Sequence, residues 1–468
     1  QAEEREATYF EGFEDMDGYT YTSSQTIVRA YKGSATIDGE TYHSGKGSVK
    51  LVPNTNATSK VMIRVRTGNG QLQLANGNRY HMSFYYKSNS TSSWNLCYAV
   101  GLFKSDGLND ANVSDWSSYS VLEKYNNSYP RAIGAKADGW QRVDLVFTVS
   151  NATDTNKYLL LYVQPKNNAT CYIDDISVTK IDNDDNAVIV NTPAGEKAVY
   201  GQTGNDYSAL IDRKYNNQYL AGVYSDSSYS TKVSSTVFGD ETTPVTSNIP
   251  TTVYAKYADR TEYDISFDDY ADDYSIDRKY WAANQSSIEL STDKANSKAK
   301  SLKFTATTKN AKANVRLDMK TAKDIKLNVG TNYVVSFKYF IDNANNSEFY
   351  YNFALAPSTS VTNSQIGYGW QMINSTKPGG DGNYYWSSRK IEGKDADGWQ
   401  TATVQFTARK GNDNPDILFM NLQGNTINSD LYIDDIKITE LFDNEYAVIK
   451  NENNGNEPTV QIGYEGDS

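Results

Sequence analysis

Apolar and polar residues alternate in short runs along most of this chain. Val143, Leu145, Phe147 and Val149 are spaced by polar or smaller residues, as are Val404 and Phe406, and Ile436 and Ile438. A period of two predicts strands with one buried face. Gly, Asn, Asp and Ser bound the runs, and strongly periodic helical stretches are missing. Many short strands over about 175 residues predict a two-sheet sandwich of the jelly-roll type.

The pattern occurs twice. Ala137-Asp138-Gly139-Trp140-Gln141 returns as Ala396 to Gln400, and Tyr172-Ile173-Asp174-Asp175-Ile176 as Tyr432 to Ile436. Phe13-Glu14-Asp15 matches Phe267-Asp268-Asp269, Ser48 to Leu51 matches Ser301 to Phe304, Tyr80 to Phe84 matches Tyr333 to Phe337, and Leu159 to Gln164 matches Leu418 to Gln423. The offset stays between about 252 and 260 residues, so both copies should share one fold. A smaller unit lies between them, marked by Ala187 to Val190, Tyr219 to Tyr224 and Thr252 to Tyr257. Ala447 to Asn451 then repeats Ala187 to Asn191. The repeating unit is therefore a sandwich followed by a small module. The expected boundaries are 8–182 for the first sandwich, 186–258 for the small module, 260–441 for the second sandwich, and 445–468 for a second small module cut short. Residues 1–7 read as a processed or added terminus. A duplicated binding surface suits a repeating polymer, because linked sites raise avidity.

Composition narrows the partners. Of 468 residues, 38% are hydrophobic and 13% aromatic, with 37 Tyr against 7 Trp and 15 Phe. Tyr joins an apolar ring to a polar tip and suits strands and wet binding surfaces. The net charge of −12 argues against nucleic acid and against an anionic membrane surface. No run approaches the ~18 apolar residues of a membrane span, so no membrane insertion is expected. Cys97 and Cys171 could form at most one bridge. Their counterparts, by approximate alignment, are Asn352 and Leu431, so neither belongs to the shared design.

Four features, in order and twice over, resemble carbohydrate-binding modules of the group containing families 4, 9 and 22. They are Phe13-Glu14 or Phe267-Asp268, the Tyr-x-x-Ser-Phe strand, Gly-Trp-Gln, and the closing Tyr-Ile-Asp-Asp-Ile. The resemblance implies β-jelly-rolls that bind glycans without cleaving them. Gly222-Val223-Tyr224-Ser225-Asp226 and Val253-Tyr254-Ala255-Lys256-Tyr257 resemble the Listeria–Bacteroides repeat, with Val and Tyr where that repeat usually has Trp. That implies a β-grasp-like spacer in a secreted protein of the bacterial cell surface. The fold class is then all-β: two β-sandwich (jelly-roll) domains joined by a small β-grasp-like module. The whole is similar to the starch-adherence proteins of gut ruminococci.

Catalytic chemistry is not expected. His43 and His81 are the only histidines, Gly-x-Ser-x-Gly is missing, and Gly45-Lys46-Gly47-Ser48 is not a phosphate loop. Carboxylates are abundant, but the shared ones lie in the first segment and last strand of each copy rather than in a cleft. Glu14, Asp15, Asp174 and Asp175, with Asp268, Asp269, Asp434 and Asp435, would converge if the sandwich ends meet. The family resemblance implies a structural Ca2+ there, held by Glu14 and Asp175 in one copy and Asp268 and Asp435 in the other. The alternative is turn-forming acids that need no metal. Asp182 to Asn186 resembles the start of an EF-hand loop but lacks the later Gly and Glu.

Sugar rings present flat C–H faces and hydroxyls, so a glycan site needs aromatics interleaved with short polar residues. Trp140 and Trp399 open core strands and read as packing residues. Better candidates lie in the loop-like segments before them. These are Trp116, Tyr119, Tyr125 and Tyr129 in the first copy, and Tyr368, Trp370, Tyr384, Tyr385 and Trp386 in the second. A second platform is offered by the strands at 94–98 and 349–353. There Phe349, Tyr351 and Phe353 share one face, leaving Tyr350 and Asn352 to line a groove. Trp281 ranks below these. The expected partner is a plant-type polysaccharide. Starch is favoured because aromatics in loops suit a curved glucan, and xylan or β-glucan is the alternative. Other surface or enzyme-complex components are further candidate partners, and the rival class is an adhesin or spacer that binds protein.

Overall fold

The structure is a computed structural model. It describes residues 1–14, 27–54, 60–65, 74–89, 96–104, 108–109, 113, 119–123, 131–132, 139–165, 169–239, 249–270, 277–279, 286–308, 311–317, 325, 327–328, 330–342, 349–356, 371–372, 389–391, 398–408, 417–424, 427–450 and 459–465. Two compact units emerge, Gln1–Tyr215 with Val223–Lys256, and Asn216–Gly222 with Tyr257–Ser468.

The first sandwich contains β1 (Tyr9–Glu11), β2 (Val28–Tyr31), β3 (Gly33–Asp38), β4 (Ser48–Pro53), β5 (Lys60–Arg64), β6 (Arg79–Ser88), β7 (Leu96–Phe103), β8 (Tyr119–Glu123), β9 (Arg131–Ala132), β10 (Trp140–Thr148), β11 (Tyr158–Pro165) and β12 (Cys171–Ile181). One sheet runs β10-β6-β12-β4-β3 with β1 beside β12. The other runs β2-β5-β11-β7-β8 with β9 beside β7. The alternation seen in the sequence is realised here. Val143, Leu145 and Phe147 of β10 stand opposite Phe84, Met82 and Tyr80 of β6. All six point into one core with Val61, Ile63, Val100, Leu102, Leu159 and Leu161 of the facing sheet. Each such fully buried side chain contributes ~1.5–3 kcal/mol.

The small module is a five-stranded sheet of β13 (Asp185–Thr192), β14 (Gly195–Gln202), β15 (Lys214–Tyr215), β16 (Gln218–Tyr224) and β17 (Thr251–Ala258). Its order is β14-β13-β17-β16-β15. β13 and β14 form an antiparallel hairpin, while β13 and β17 run parallel. Residues 1–7 are more than a loose terminus. Glu3 exchanges main-chain hydrogen bonds of 2.8 Å with Tyr200 of β14, and Arg5 pairs with Asp185 at 2.6 Å.

The second sandwich repeats the first strand for strand. Its strands are β18 (Glu262–Ile265), β19 (Asp277–Lys279), β20 (Ser286–Ser291), β21 (Ser301–Ala306), β22 (Ala311–Arg316), β23 (Asn332–Asp342), β24 (Phe349–Ala356), β25 (Gln371–Met372), β26 (Arg389–Ile391), β27 (Gln400–Thr407), β28 (Ile417–Gly424) and β29 (Asp430–Leu441). The sheet orders are β20-β21-β29-β23-β27 with β18 beside β29, and β19-β22-β28-β24-β25 with β26 beside β24. β30 (Glu445–Lys450) and β31 (Thr459–Tyr464) then form the hairpin that matches β13 and β14.

One feature of β6 was not legible as alternation: it is buried on both faces. The core takes Tyr80, Met82 and Phe84. The opposite face holds His81, Ser83 and Tyr85 beneath the β13–β14 hairpin. There His81 Nδ1 lies 2.7 Å from the Tyr200 hydroxyl, and Tyr85 donates to Glu196 at 2.7 Å. His81 Nε2 contacts Asp144 at 2.8 Å, and Arg142 Nε donates to both Asp144 oxygens at 3.0 Å. Burial opposes ionisation of Asp144, but Arg142 and His81 together hold its carboxyl below the usual carboxylate range. Register places Val334, Thr401, Thr403 and Ile462 at the second copy's equivalents of His81, Arg142, Asp144 and Tyr200. The same contact is thus ionic in one unit and largely neutral in the other.

Neither cysteine is in a disulfide; Cys97 lies on β7 and Cys171 in the core. Register also corrects the sequence alignment. Cys97 stands opposite Gln164 and Tyr350 opposite Gln423, so Tyr350, not Asn352, is the counterpart of Cys97.

Candidate functional site

In each sandwich the second sheet turns one face to the core and leaves a second face outside it. On β24 the core takes Phe349, Tyr351 and Phe353. The opposite face of that sheet carries two cross-strand rows. One is Lys312–Gln423–Tyr350, all half-buried; the other is Asn314–Asn421–Asn352, all buried. Asn314 Nδ2 donates to Asn421 Oδ1 at 2.5 Å, and Asn421 Nδ2 donates to Asn352 Oδ1 at 2.7 Å. An amide ladder of this kind satisfies polar groups that burial would otherwise penalise. It fixes the strands beneath the accessible row, where an aromatic ring, an amide and an ammonium stand side by side.

The first sandwich fills the same positions differently. Met62, Tyr162 and Ala99 replace the three asparagines, and Gln164 and Cys97 replace Gln423 and Tyr350. Tyr162 donates to Gln164 at 2.7 Å and stacks on Tyr119 with centroids 6.3 Å apart. Met62, Ala99, Phe103, Leu108, Val113, Tyr119, Leu160 and Tyr162 form a second apolar cluster there. The two faces share a frame and differ in chemistry.

Tyr119 and Tyr350 therefore stand on these faces, Tyr119 buried and Tyr350 half-buried. Trp116, Tyr125, Tyr129, Trp281, Tyr368, Trp370, Tyr384, Tyr385 and Trp386 lie outside the described residues. Trp140 and Trp399 depart from the expected packing role. Each is half-buried and absent from the core, on the outer side of the first sheet. Tryptophan beside a glycine turn reads as core by composition; the parity of β10 shows the face that Trp140 occupies, and the ring contact with Phe340 shows that of Trp399.

Glu14, Asp174 and Asp175, and in the second copy Asp268, Asp434 and Asp435, converge as expected on the loop before β4 or β21, while Asp15 lies outside the described residues. Asp174 accepts from the main-chain N–H of His43 (2.8 Å), Ser44 (3.3 Å) and Asp175 (2.7 Å). Asp175 takes His43 Nδ1 at 2.6 Å and the Ser44 hydroxyl at 2.8 Å, and Glu14 accepts from Lys46 N. In the second copy Asp434 accepts from Asn296 and Ser297, Asp435 from the side chains of the same two residues, and Asp268 from Ala299 and Lys300. The register of β12 and β29 shifts at both Asp-Asp pairs. Asp175 and Asp435 adopt φ of 48° and 47°. A bulge with a left-handed residue redirects the side chain, here onto the loop. Burial, reinforced by Asp175, pushes Asp174 up to about 7. Burial pushes Asp434 up to about 6 against the N–H donors, with Asp435 adding to the rise. Gly45, at φ +70°, lies against Glu14, whose Oε1 would sit 1.7 Å from an added Cβ. The second copy has Lys298 there, opposite the shorter Asp268. Gly45→Ala should therefore lower stability by about 1–3 kcal/mol in thermal unfolding, and adding Glu14→Asp should recover most of it.

His43 and Ser44 both bond to Asp175 instead of to each other. That arrangement lacks the Ser–His hydrogen bond a nucleophile needs. Among the described residues, no group of three or more His, Cys, Asp or Glu is spaced to hold a metal ion, and no helix is long and apolar enough to cross a membrane.

No family model matches the chain, and no curated protein matches it. Among solved structures, the tandem CBM22-1–CBM22-2 domain of Paenibacillus barcinonensis Xyn10C is 11% identical, covering 93% of this chain and 98% of its own, with a TM-score of 0.26. The CBM22-1–GH10 modules of Clostridium thermocellum Xyn10B, solved with xylohexaose, are 12% identical over 38% of this chain and 29% of theirs, with a TM-score of 0.26. TmCBM61, solved with β-1,4-galactotriose, is 12% identical over 36% of this chain and 94% of its own, with a TM-score of 0.23. With scores this low, the assignment of two β-sandwiches rests on the sheets described above.

Proposed function

We propose that this chain binds polysaccharide without cleaving it, through the second-sheet faces of its two sandwiches. The observation that carries the reading is the row Lys312–Gln423–Tyr350, set on the buried Asn314–Asn421–Asn352 ladder and kept out of the core. A ring for the C–H face of a sugar and polar groups for its hydroxyls are what such a ligand needs. The finer reading is an α-glucan, starch, supported by the clustered loop aromatics of the sequence; xylan is the alternative polymer. A secreted location at a bacterial surface is part of the same proposal.

Affinity electrophoresis in gels cast with starch, xylan or mixed-linkage glucan tests it. Retardation by starch alone supports the finer reading, retardation by xylan replaces it, and none on any polymer overturns glycan binding. Tyr350→Ala should weaken binding by the second sandwich about tenfold with an unchanged melting temperature, and Trp370→Ala with Trp386→Ala should act likewise.

We also propose a structural calcium ion at each acid corner, on Glu14 and Asp175 and on Asp268 and Asp435. Its support is convergence: Glu14 Oε1 and Asp175 Oδ1 lie 3.4 and 3.5 Å from one point, the Cβ position of Gly12. Calcium prefers such oxygen ligands. Chelation should lower the melting temperature, with recovery on adding calcium. An unchanged melting temperature assigns these acids to the loops alone.

A further inference from the structure

The outer side of the first sheet carries an aromatic row in both sandwiches, and it is formed by the residues that announce the repeat. In the first copy Lys50 stands opposite Tyr172, Tyr172 opposite Lys87, and Lys87 opposite Trp140. Four neighbouring strands thus contribute one residue each, a span of about 14 Å at the usual inter-strand spacing. In the second copy Lys303 stands opposite Tyr432 and Tyr432 opposite Phe340. Trp399 completes the row, its ring 5.8 Å from that of Phe340.

These side chains do not serve the sandwich core. Trp140, Tyr172, Lys50 and Lys87 are all half-buried, as are Trp399, Phe340 and Lys303; Tyr432 alone is buried. The rings lie close but at steep angles. Trp140 and Tyr172 are 6.5 Å apart with planes at 58°, and Phe340 and Trp399 are inclined at 55°. Lysines border them: Lys50 Nζ is 5.8 Å from the Tyr172 ring centroid, Lys303 Nζ 5.7 Å from that of Tyr432, and Lys294 Nζ 4.5 Å from that of Phe340. The row is continuous with the acid corner, since His43 stacks on Tyr85 at 3.6 Å and meets Trp140 edge-on at 5.7 Å. Half-buried aromatics in line across a sheet, flanked by flexible ammonium donors, match a sugar chain lying across the strands. Its C–H faces would meet the rings and its hydroxyls the lysines. A protein partner would instead favour a wider apolar patch with a dry centre.

We propose that Trp140 with Tyr172, and Trp399 with Phe340, form a second glycan-contact platform in each sandwich, on the sheet opposite the one assigned above. The inference rests on the polysaccharide reading and adds sites to it. In the first copy Lys50 Nζ stands 5.8 Å from the Tyr172 ring, farther than Lys294 from Phe340 in the second. In the second, Lys294 lies over Phe340, so a sugar must move that side chain aside, and the first platform should be the stronger.

The test compares four proteins on the polymer that retards the wild-type chain: wild type, Trp140→Ala with Trp399→Ala, Tyr350→Ala, and all three together. Melting temperatures confirm folding. The platform predicts about a tenfold loss for the tryptophan pair and a larger loss for the triple variant. Binding equal to wild type in the tryptophan pair, with loss in Tyr350→Ala, overturns the platform but keeps the glycan reading. No binding by wild type overturns the reading itself. If alanine disturbs folding, the wild-type indole N–H resonances of Trp140 and Trp399 decide. Shifts on titration with a soluble oligosaccharide support the platform, and their constancy while other signals move overturns it.

Discussion

Replacing Asp144 by Ala should lower the stability of the first unit by about 3–5 kcal/mol. Asp144 bridges Arg142 and His81 against β14, with His81 buried and Arg142 half-buried. Its removal leaves a guanidinium and an imidazole in a low-dielectric site without their acceptor. The second unit shows that the contact itself does not need charge, since Val334, Thr401, Thr403 and Ile462 occupy the same positions. Installing that set, as His81→Val, Arg142→Thr, Asp144→Thr and Tyr200→Ile, should therefore recover most of the loss. Urea unfolding of the three proteins measures both effects; a quadruple variant as weak as Asp144→Ala would show that the ionic network is required. The pH dependence has a definite sign. A carboxyl held below its ordinary value stabilises the folded state fully above about pH 4 and loses that contribution as pH falls. Wild type and Asp144→Ala should converge in acid.

The second large effect is expected at Asn421. It joins Asn314 to Asn352 and is buried with both. Asn421→Ala strands a donor on one side and an acceptor on the other, at a cost of about 2–4 kcal/mol. Replacing all three residues by the first copy's set, Met, Tyr and Ala, removes the stranded groups and should leave a stable fold. Thermal unfolding separates the cases. Equal losses in the single and triple variants would mean that the ladder contributes through packing and not through hydrogen bonding.

Alternation on β10 and β27 announced strands, and the matching phrases announced two copies with one topology. The sequence could also assign Phe349, Tyr351 and Phe353 to one face and Tyr350 and Asn352 to the other, because strand parity is a local property. It misplaced Trp140 and Trp399. Their size argues for the core, whereas the face of a residue at the start of a strand depends on where the pairing with β6 or β23 begins. The amide ladder was equally hidden. Asn314, Asn352 and Asn421 are separated by tens of residues and meet only through the order β22-β28-β24.

The acids show the same division. Their recurrence was plain, and their convergence followed from a sandwich closing on itself. That Asp175 and Asp435 turn onto a loop depends on a bulge at positive φ, which no spacing announces. The sequence by itself therefore determined the strands and the duplication, because these depend on periodicity and repetition within the chain. Only the tertiary structure decided which residues share a face, how the small module seals polar groups onto β6, and that the repeated tryptophans stand outside the core. Those outcomes depend on register between distant strands, and a shift of one residue would reverse every one of them.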